Sequence, residues 1–192
     1  MTISLGNVVR VDFNSTEVKA CQDQARTLEF GGVSFSRKSP GERQATLRED
    51  QVVGQLGELA LFVWAYGKSR GLQEYLKTQE SKRGRGHRGD GGQDILGHKV
   101  DIKSSLVRNN KDIFTYNLLV ASREFHPGWW FVQGLVWEYI PDVSATVAVM
   151  GWAKAENLLK PGVNPRFDCW TLSTRNLFPM SSLRLVETRI AA

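Results

Sequence analysis

Apolar residues first fall into a long helical stripe and later into a series of short runs. Val52, Leu56, Leu59, Ala60, Val63 and Tyr66 recur at three- and four-residue spacing, which puts them on one face of a helix over roughly 48–66. Gly67 follows as a stop, and 68–80 reads as a second helical segment around Leu72, Tyr75 and Leu76. Before these helices, the chain to residue 39 is mixed in character and 41–49 is polar. Within that stretch, 27–36 alternates about Gly31-Gly32 and predicts a hairpin. After the helices, strands are expected at 93–96 and 99–104, joined at Gly97-His98, then at 114–121, 130–137 and 146–150. A short helix is expected at 153–159, and closing strands at 169–172 and 183–186. This order predicts a single α/β domain, a central mixed β-sheet flanked by helices. Residues 1–47 would be an N-terminal extension, 48–121 the core that carries the chemistry, and 122–192 the completion of the sheet and the tail.

Composition narrows the classes. The 192 residues are about one domain's length, and the hydrophobic fraction of 41% is ordinary for a packed globular chain. A net charge of +5 leans toward a polyanionic partner. Cys21 and Cys169 stand far apart in no metal-binding spacing, which reads as reduced thiols in a cytoplasmic protein. The longest apolar runs, 59–66 and 129–137, fall well short of the roughly 20 residues that cross a bilayer, and the N-terminus has no secretory pattern. A soluble protein with no membrane partner is expected.

Residues 81–92 form a glycine-rich basic stretch that reads as a loop, either a solvated linker or a contact to phosphates. No Gly-Lys-Ser/Thr ends its glycine run, so a nucleotide cofactor is not expected. His87, His98 and His126 show no metal-ligand spacing, and no serine sits in a nucleophile elbow.

The chemistry concentrates in Asp94-Ile-Leu-Gly-His-Lys-Val-Asp101-Ile-Lys103. If Gly97-His98 is a two-residue type II′ loop, Asp94 pairs with Asp101, their Cβ atoms about 4.5–5.5 Å apart on one sheet face. Lys103 projects from that face too, while Ile95, Val100 and Ile102 point to the other, toward the core. Like charges placed opposite one another destabilise a sheet, and a divalent cation compensates. Mg²⁺ takes carboxylate oxygens and keeps several waters, leaving room for a phosphate. A neighbouring lysine can orient the attacking water or offset charge in the transition state. The plainer reading of the same residues is a surface ion-pair ladder.

Asp94, then Asp101-Ile-Lys103, preceded by a helix bearing Gly54-Gln-Leu-Gly57-Glu58, resembles the PD-(D/E)xK nuclease superfamily, in the style of its small stand-alone phage-type members. The resemblance covers 48–121 and extends less securely into the tail, at 147–152 and 168–180. It implies the restriction-endonuclease-like fold and Mg²⁺-dependent hydrolysis of DNA phosphodiesters, with Mn²⁺ as a substitute, by an endonuclease. Asp94 and Asp101 would ligate metal, with the Ile102 carbonyl as a further ligand. Glu58 would bind metal directly or through water, and Lys103 would manage the nucleophilic water. Gln93 stands where the family has proline, and Asp101 where it commonly has glutamate. Asp90 competes for the first acid, but Gly91-Gly92 disfavours a strand there, and only Asp94 lands opposite Asp101. Gln55 shares the Glu58 helix face and is a candidate substrate contact. Arg83, Arg85, Arg88, Arg108 and Lys111 flank the motif as a candidate phosphate-contacting rim. Cutting both strands of a duplex would favour a homodimer. Two other readings stay open: a catalytically inactive nucleic-acid-binding module on the same fold, and a basic protein-interaction factor.

Overall fold

A four-stranded mixed sheet, ordered β1-β5-β4-β2, separates a layer of helices from a second, two-stranded sheet. The structure is a computed structural model that describes residues 3–27, 40–82, 94–95, 97–108, 112–160 and 168–184 (40–48 by backbone alone). Its elements are β1 (Val9–Phe13), α1 (Ser15–Thr27), α2 (Pro40–Tyr66), α3 (Lys68–Lys82), β2 (Val100–Leu106), β3 (Asn117–Ala121), β4 (Trp130–Ile140), β5 (Ser144–Lys154) and β6 (Cys169–Ser173). β1 and β4 each pair antiparallel with β5, β2 pairs parallel with β4, and β3 pairs antiparallel with β6. The expected mixed α/β architecture is present.

The helical stripe of α2 lies on one face of the main sheet. Leu56, Leu59 and Ala60 pack there with Val100, Ile102, Val132 and Val147, and with Val18 and Cys21 of α1 and Tyr75 of α3. The opposite face carries Phe131, Leu135, Ala148 and Met150, which β3 and β6 cover through Leu118, Val120 and Leu172. Alternation along β2 therefore sends Val100 and Ile102 to the helices, and Asp101 and Lys103 to the other side. Among the described residues, no helix is long and apolar enough to cross a membrane.

Several expectations change. α2 begins at Pro40, not near residue 48. Its polar first turns carry little apolar periodicity, although proline suits a helix's first position. The N-terminal stretch, expected to be of mixed character, forms β1 and α1. The helix start was readable: the Asn14 side chain accepts from Glu17 N–H at 3.1 Å, and Glu17 accepts from Asn14 N–H at 2.8 Å, a reciprocal cap. Thr27 ends α1, and the rest of the hairpin expected at 27–36 lies outside the described residues. β4 and β5 run longer than expected, and 153–159 holds the end of β5 and a 3-10 turn at Ala155–Asn157. Residues 113–115 are likewise a 3-10 turn, so β3 starts at Asn117. Leu183 and Arg184 lie in no strand, and 185–186 lie outside the described residues.

The expected hairpin at Gly97-His98 is replaced by a different local geometry. Asp94 and Ile95 form a bend, and 93 and 96 lie outside the described residues. The His98 N–H donates to the Ile95 carbonyl at 3.0 Å, and Gly97 has φ +82°. Gly97 is thus the third residue of a four-residue turn, where a type II turn requires positive φ, not the first central residue of a type II′ loop. The main ladder of β2 runs parallel to β4. Glycine-led dipeptides fit both turn types, so the local signal fixed the turn without fixing its frame.

Candidate functional site

β2 is an edge strand, and Asp94 covers its free edge. The Asp94 N–H donates to the Val100 carbonyl at 3.1 Å, and Asp94 Oδ2 accepts the Ile102 N–H at 2.5 Å. One carboxylate thereby satisfies a main-chain donor that a neighbouring strand would otherwise take. It also reaches Asp101 by a different route from the one expected. The two carboxyl groups lie in electrostatic contact, each bearing on the other's ionisation, although among the described residues no antiparallel strand pairs with β2 to align them.

That contact is electrostatically costly. Both groups are buried, at 7% and 4% exposure. Burial, then the charges of Glu58 and Asp101, push the Asp94 carboxyl well above the usual carboxylate range, against the pull of Lys82. Burial likewise raises Asp101 to about 6, while Lys103 pulls the other way.

Lys103 occupies the far side of this pair. Its Nζ lies 2.7 Å from Asp101 Oδ2 and 3.0 Å from Glu124 Oε2. Burial alone would lower the Lys103 pKa, but Asp101 and Glu124 outweigh it and hold the ammonium above its ordinary value. Glu124 belongs to a 3-10 turn that follows β3. Burial opposes its ionisation, yet Lys103 keeps its carboxyl below the ordinary value.

On the helix side, Glu58 sits in a polar seat. Gln55 Nε2 donates to Glu58 Oε1 at 2.9 Å, and Gln79 Nε2 donates to Oε2 at 2.6 Å. Lys82 Nζ donates to the same Oε2 at 3.2 Å and lies 3.8 Å from Asp94 Oδ1. Buried Tyr75 completes the support, its hydroxyl donating to Gln55 Oε1 at 2.7 Å. These contacts need α3 tight against α2. Gly71 allows that, because a Cβ there would fall 2.7 Å from the Val63 Cα.

Glu58, Asp94, Asp101 and Lys103 are therefore gathered along one strand edge. Gln55, expected as a substrate contact, is 4% exposed, and both ends of its amide are hydrogen-bonded, to Glu58 and to Tyr75. Arg108 is exposed beyond the end of β2 and pairs with Glu49 at 2.9 Å. Arg83, Arg85, Arg88, Lys111, Asp90 and His87 lie outside the described residues. Sequence reasoning missed Gln79, Lys82 and Glu124. For the first two a signal existed: Tyr75, Gln79 and Lys82 recur at four- and three-residue spacing, a polar continuation of the α3 face that meets α2. Glu124 arrives by tertiary folding of a loop, with no local signature.

Among the described residues, no three His, Cys, Asp or Glu side chains form a ready metal cage. The oxygen donors at hand are the Asp94 and Asp101 carboxylates, with Glu58 behind them, Lys82 shared between Glu58 and Asp94, and Lys103 shared between Asp101 and Glu124. This hard, anionic donor set suits Mg²⁺ or Mn²⁺ and not a soft metal. No protein-family model, curated protein or solved structure matches this chain.

Proposed function

We propose that the protein is a metal-dependent endonuclease that hydrolyses DNA phosphodiester bonds. One observation carries the reading: two buried aspartates that bear on each other's ionisation, with a half-buried lysine 2.7 Å from one of them. Packing alone gives no reason to bury like charges together, whereas an ion-binding phosphodiesterase needs them so. Asp94 and Asp101 would hold Mg²⁺ or Mn²⁺, with the Ile102 carbonyl as a third donor by resemblance to PD-(D/E)xK nucleases. Such an ion keeps several waters, so a three-acid cage is not required. When bound, it would polarise the phosphate and acidify a water.

The chain's own groups supply the rest. Lys103, kept protonated by Asp101 and Glu124, is suited to orient the attacking water and offset negative charge on the phosphorus oxygens. Glu58 already accepts three donors on its two oxygens, so a water-mediated role fits it better than direct ligation. The net charge of +5 favours approach of a polyanion.

The test is incubation with linear, circular, branched and single-stranded DNA, in Mg²⁺ and in chelator. Chelator-sensitive cleavage that includes closed circles supports an endonuclease. Retardation on a gel without cleavage, in Mg²⁺ or Mn²⁺, would transfer support to an inactive nucleic-acid-binding module. Neither binding nor cleavage would favour a protein-interaction role and end the nuclease reading.

A further inference from the structure

We propose that Lys82 is an internal counter-ion of the acidic site, which an incoming divalent cation displaces from Asp94 while Lys82 stays tethered to Glu58. The proposal rests on the reading of Asp94 and Asp101 as ion ligands and adds how ion entry is controlled. Two of the contacts that Lys82 makes are unequal. Its 3.2 Å approach to Glu58 Oε2 is a hydrogen bond, whereas 3.8 Å to Asp94 Oδ1 is charge attraction without one. Glu58 is further anchored by Gln55 and Gln79. The Asp94 contact can thus be given up at little geometric cost, and the Glu58 contact cannot.

The physical need for the counter-ion is plain. Glu58, Asp94 and Asp101 would otherwise face one another largely out of water, and Lys103 is already shared between Asp101 and Glu124. Lys82, with its side chain 16% exposed, supplies positive charge beside Asp94. Its place in the last turn of α3 is where helix carbonyls favour a cation. A divalent ion arriving at Asp94 meets that ammonium within a few ångströms, so ion affinity is held down by repulsion between cations. Removing one unit charge about 4 Å away at protein-like screening should raise affinity roughly tenfold or more.

The experiment is Mn²⁺ titration followed by electron paramagnetic resonance, without nucleic acid, on the full wild-type chain, Lys82→Met and Asp94→Asn. Tighter Mn²⁺ binding by Lys82→Met, roughly tenfold or more, is expected. Unchanged or weaker binding overturns the proposal. Because Lys82→Met leaves three acids less compensated, a second measurement uses the wild type alone. Acylation of Lys82 by an amine reagent, read by peptide mass spectrometry, should rise severalfold when Mn²⁺ is added, and equal labelling with and without Mn²⁺ overturns the displacement. If wild type and Lys82→Met bind Mn²⁺ no better than Asp94→Asn, the ion-site reading itself fails and takes the counter-ion with it. That pattern is distinct from normal wild-type binding that Lys82→Met leaves unchanged.

Discussion

Gly57 on α2 lies directly over Ser104 on β2: a Cβ built on Gly57 would fall 1.7 Å from Ser104 Oγ and 2.8 Å from Ser104 Cβ. No side chain other than hydrogen fits, so this contact sets the height of α2 above the strand that carries Asp101 and Lys103. Glu58, the next residue, owes its distance from Asp94 to that height.

Gly57→Ala should therefore destabilise the fold by about 1–3 kcal/mol through overpacking. Gly54 provides the control, since nothing lies within 4 Å of its would-be Cβ. Gly54→Ala should stabilise by roughly 0.5–1 kcal/mol, the ordinary gain in a helix interior. Urea unfolding of both variants checks the pair. Adding Ser104→Ala should recover part of the Gly57→Ala loss, because the hydroxyl is the nearest clash and, among the described residues, has no hydrogen-bond partner.

Asp94 has two separable duties, and two substitutions divide them. Asp94→Ala leaves the Ile102 N–H at the strand edge without its acceptor and should cost on the order of 1–3 kcal/mol. Asp94→Asn keeps an acceptor and removes a buried acid, so without metal it should be at least as stable as wild type. Both should lose metal-dependent cleavage. Thermal melts in chelator, alongside a cleavage assay, measure the split.

The acidic pair also predicts a pH dependence of stability in the metal-free protein. Burial raises Asp101 from an ordinary 3.8 to about 6. The folded state holds this proton more tightly than the unfolded chain, so the stabilisation is complete below about pH 4 and is lost as pH rises through 6. Asp94 shifts in the same direction and extends the loss upward. In chelator, the stability of wild type relative to Asp101→Asn should fall between pH 4 and 6, by on the order of 3 kcal/mol. A flat difference across that window would refute it.

The two thiols should differ sharply. Cys21 is fully buried, and burial pushes its thiol up to about 12, whereas Cys169 is only partly buried. A disulfide-exchange reagent at pH 8 should therefore modify Cys169 alone in the native protein and both cysteines in denaturant.

The α2 stripe was legible because it buries one face, which writes a period into the sequence, whereas β4 and β5 bury both faces and were legible as apolar runs. The N-terminal strand and helix were also written there, in a capping pair of Asn14 and Glu17 that went unread. Asp94, Asp101 and Lys103 were found for a partly mistaken reason. An antiparallel hairpin was to align the aspartates, whereas Asp94 reaches Asp101 from a bend that caps the free edge of β2. Lys103 and Asp101 share a face simply because they stand two apart on one strand. Glu124 was beyond reach, since its approach to Lys103 depends on how the loop after β3 folds back across the sheet. Lys82 reads in the sequence as part of a basic loop, and its charge hides a helical position one turn from Gln79.

Cleavage by matched preparations of wild type, Asp101→Asn and Lys103→Met, on whichever DNA form the wild type cuts, is the decisive measurement of whether Asp101 and Lys103 carry metal-dependent hydrolysis. Mg²⁺-dependent cleavage by the wild type is expected, with a loss of about a hundredfold or more in each variant and DNA binding retained. Undiminished cutting by both variants, or cutting that persists in chelator, would contradict it.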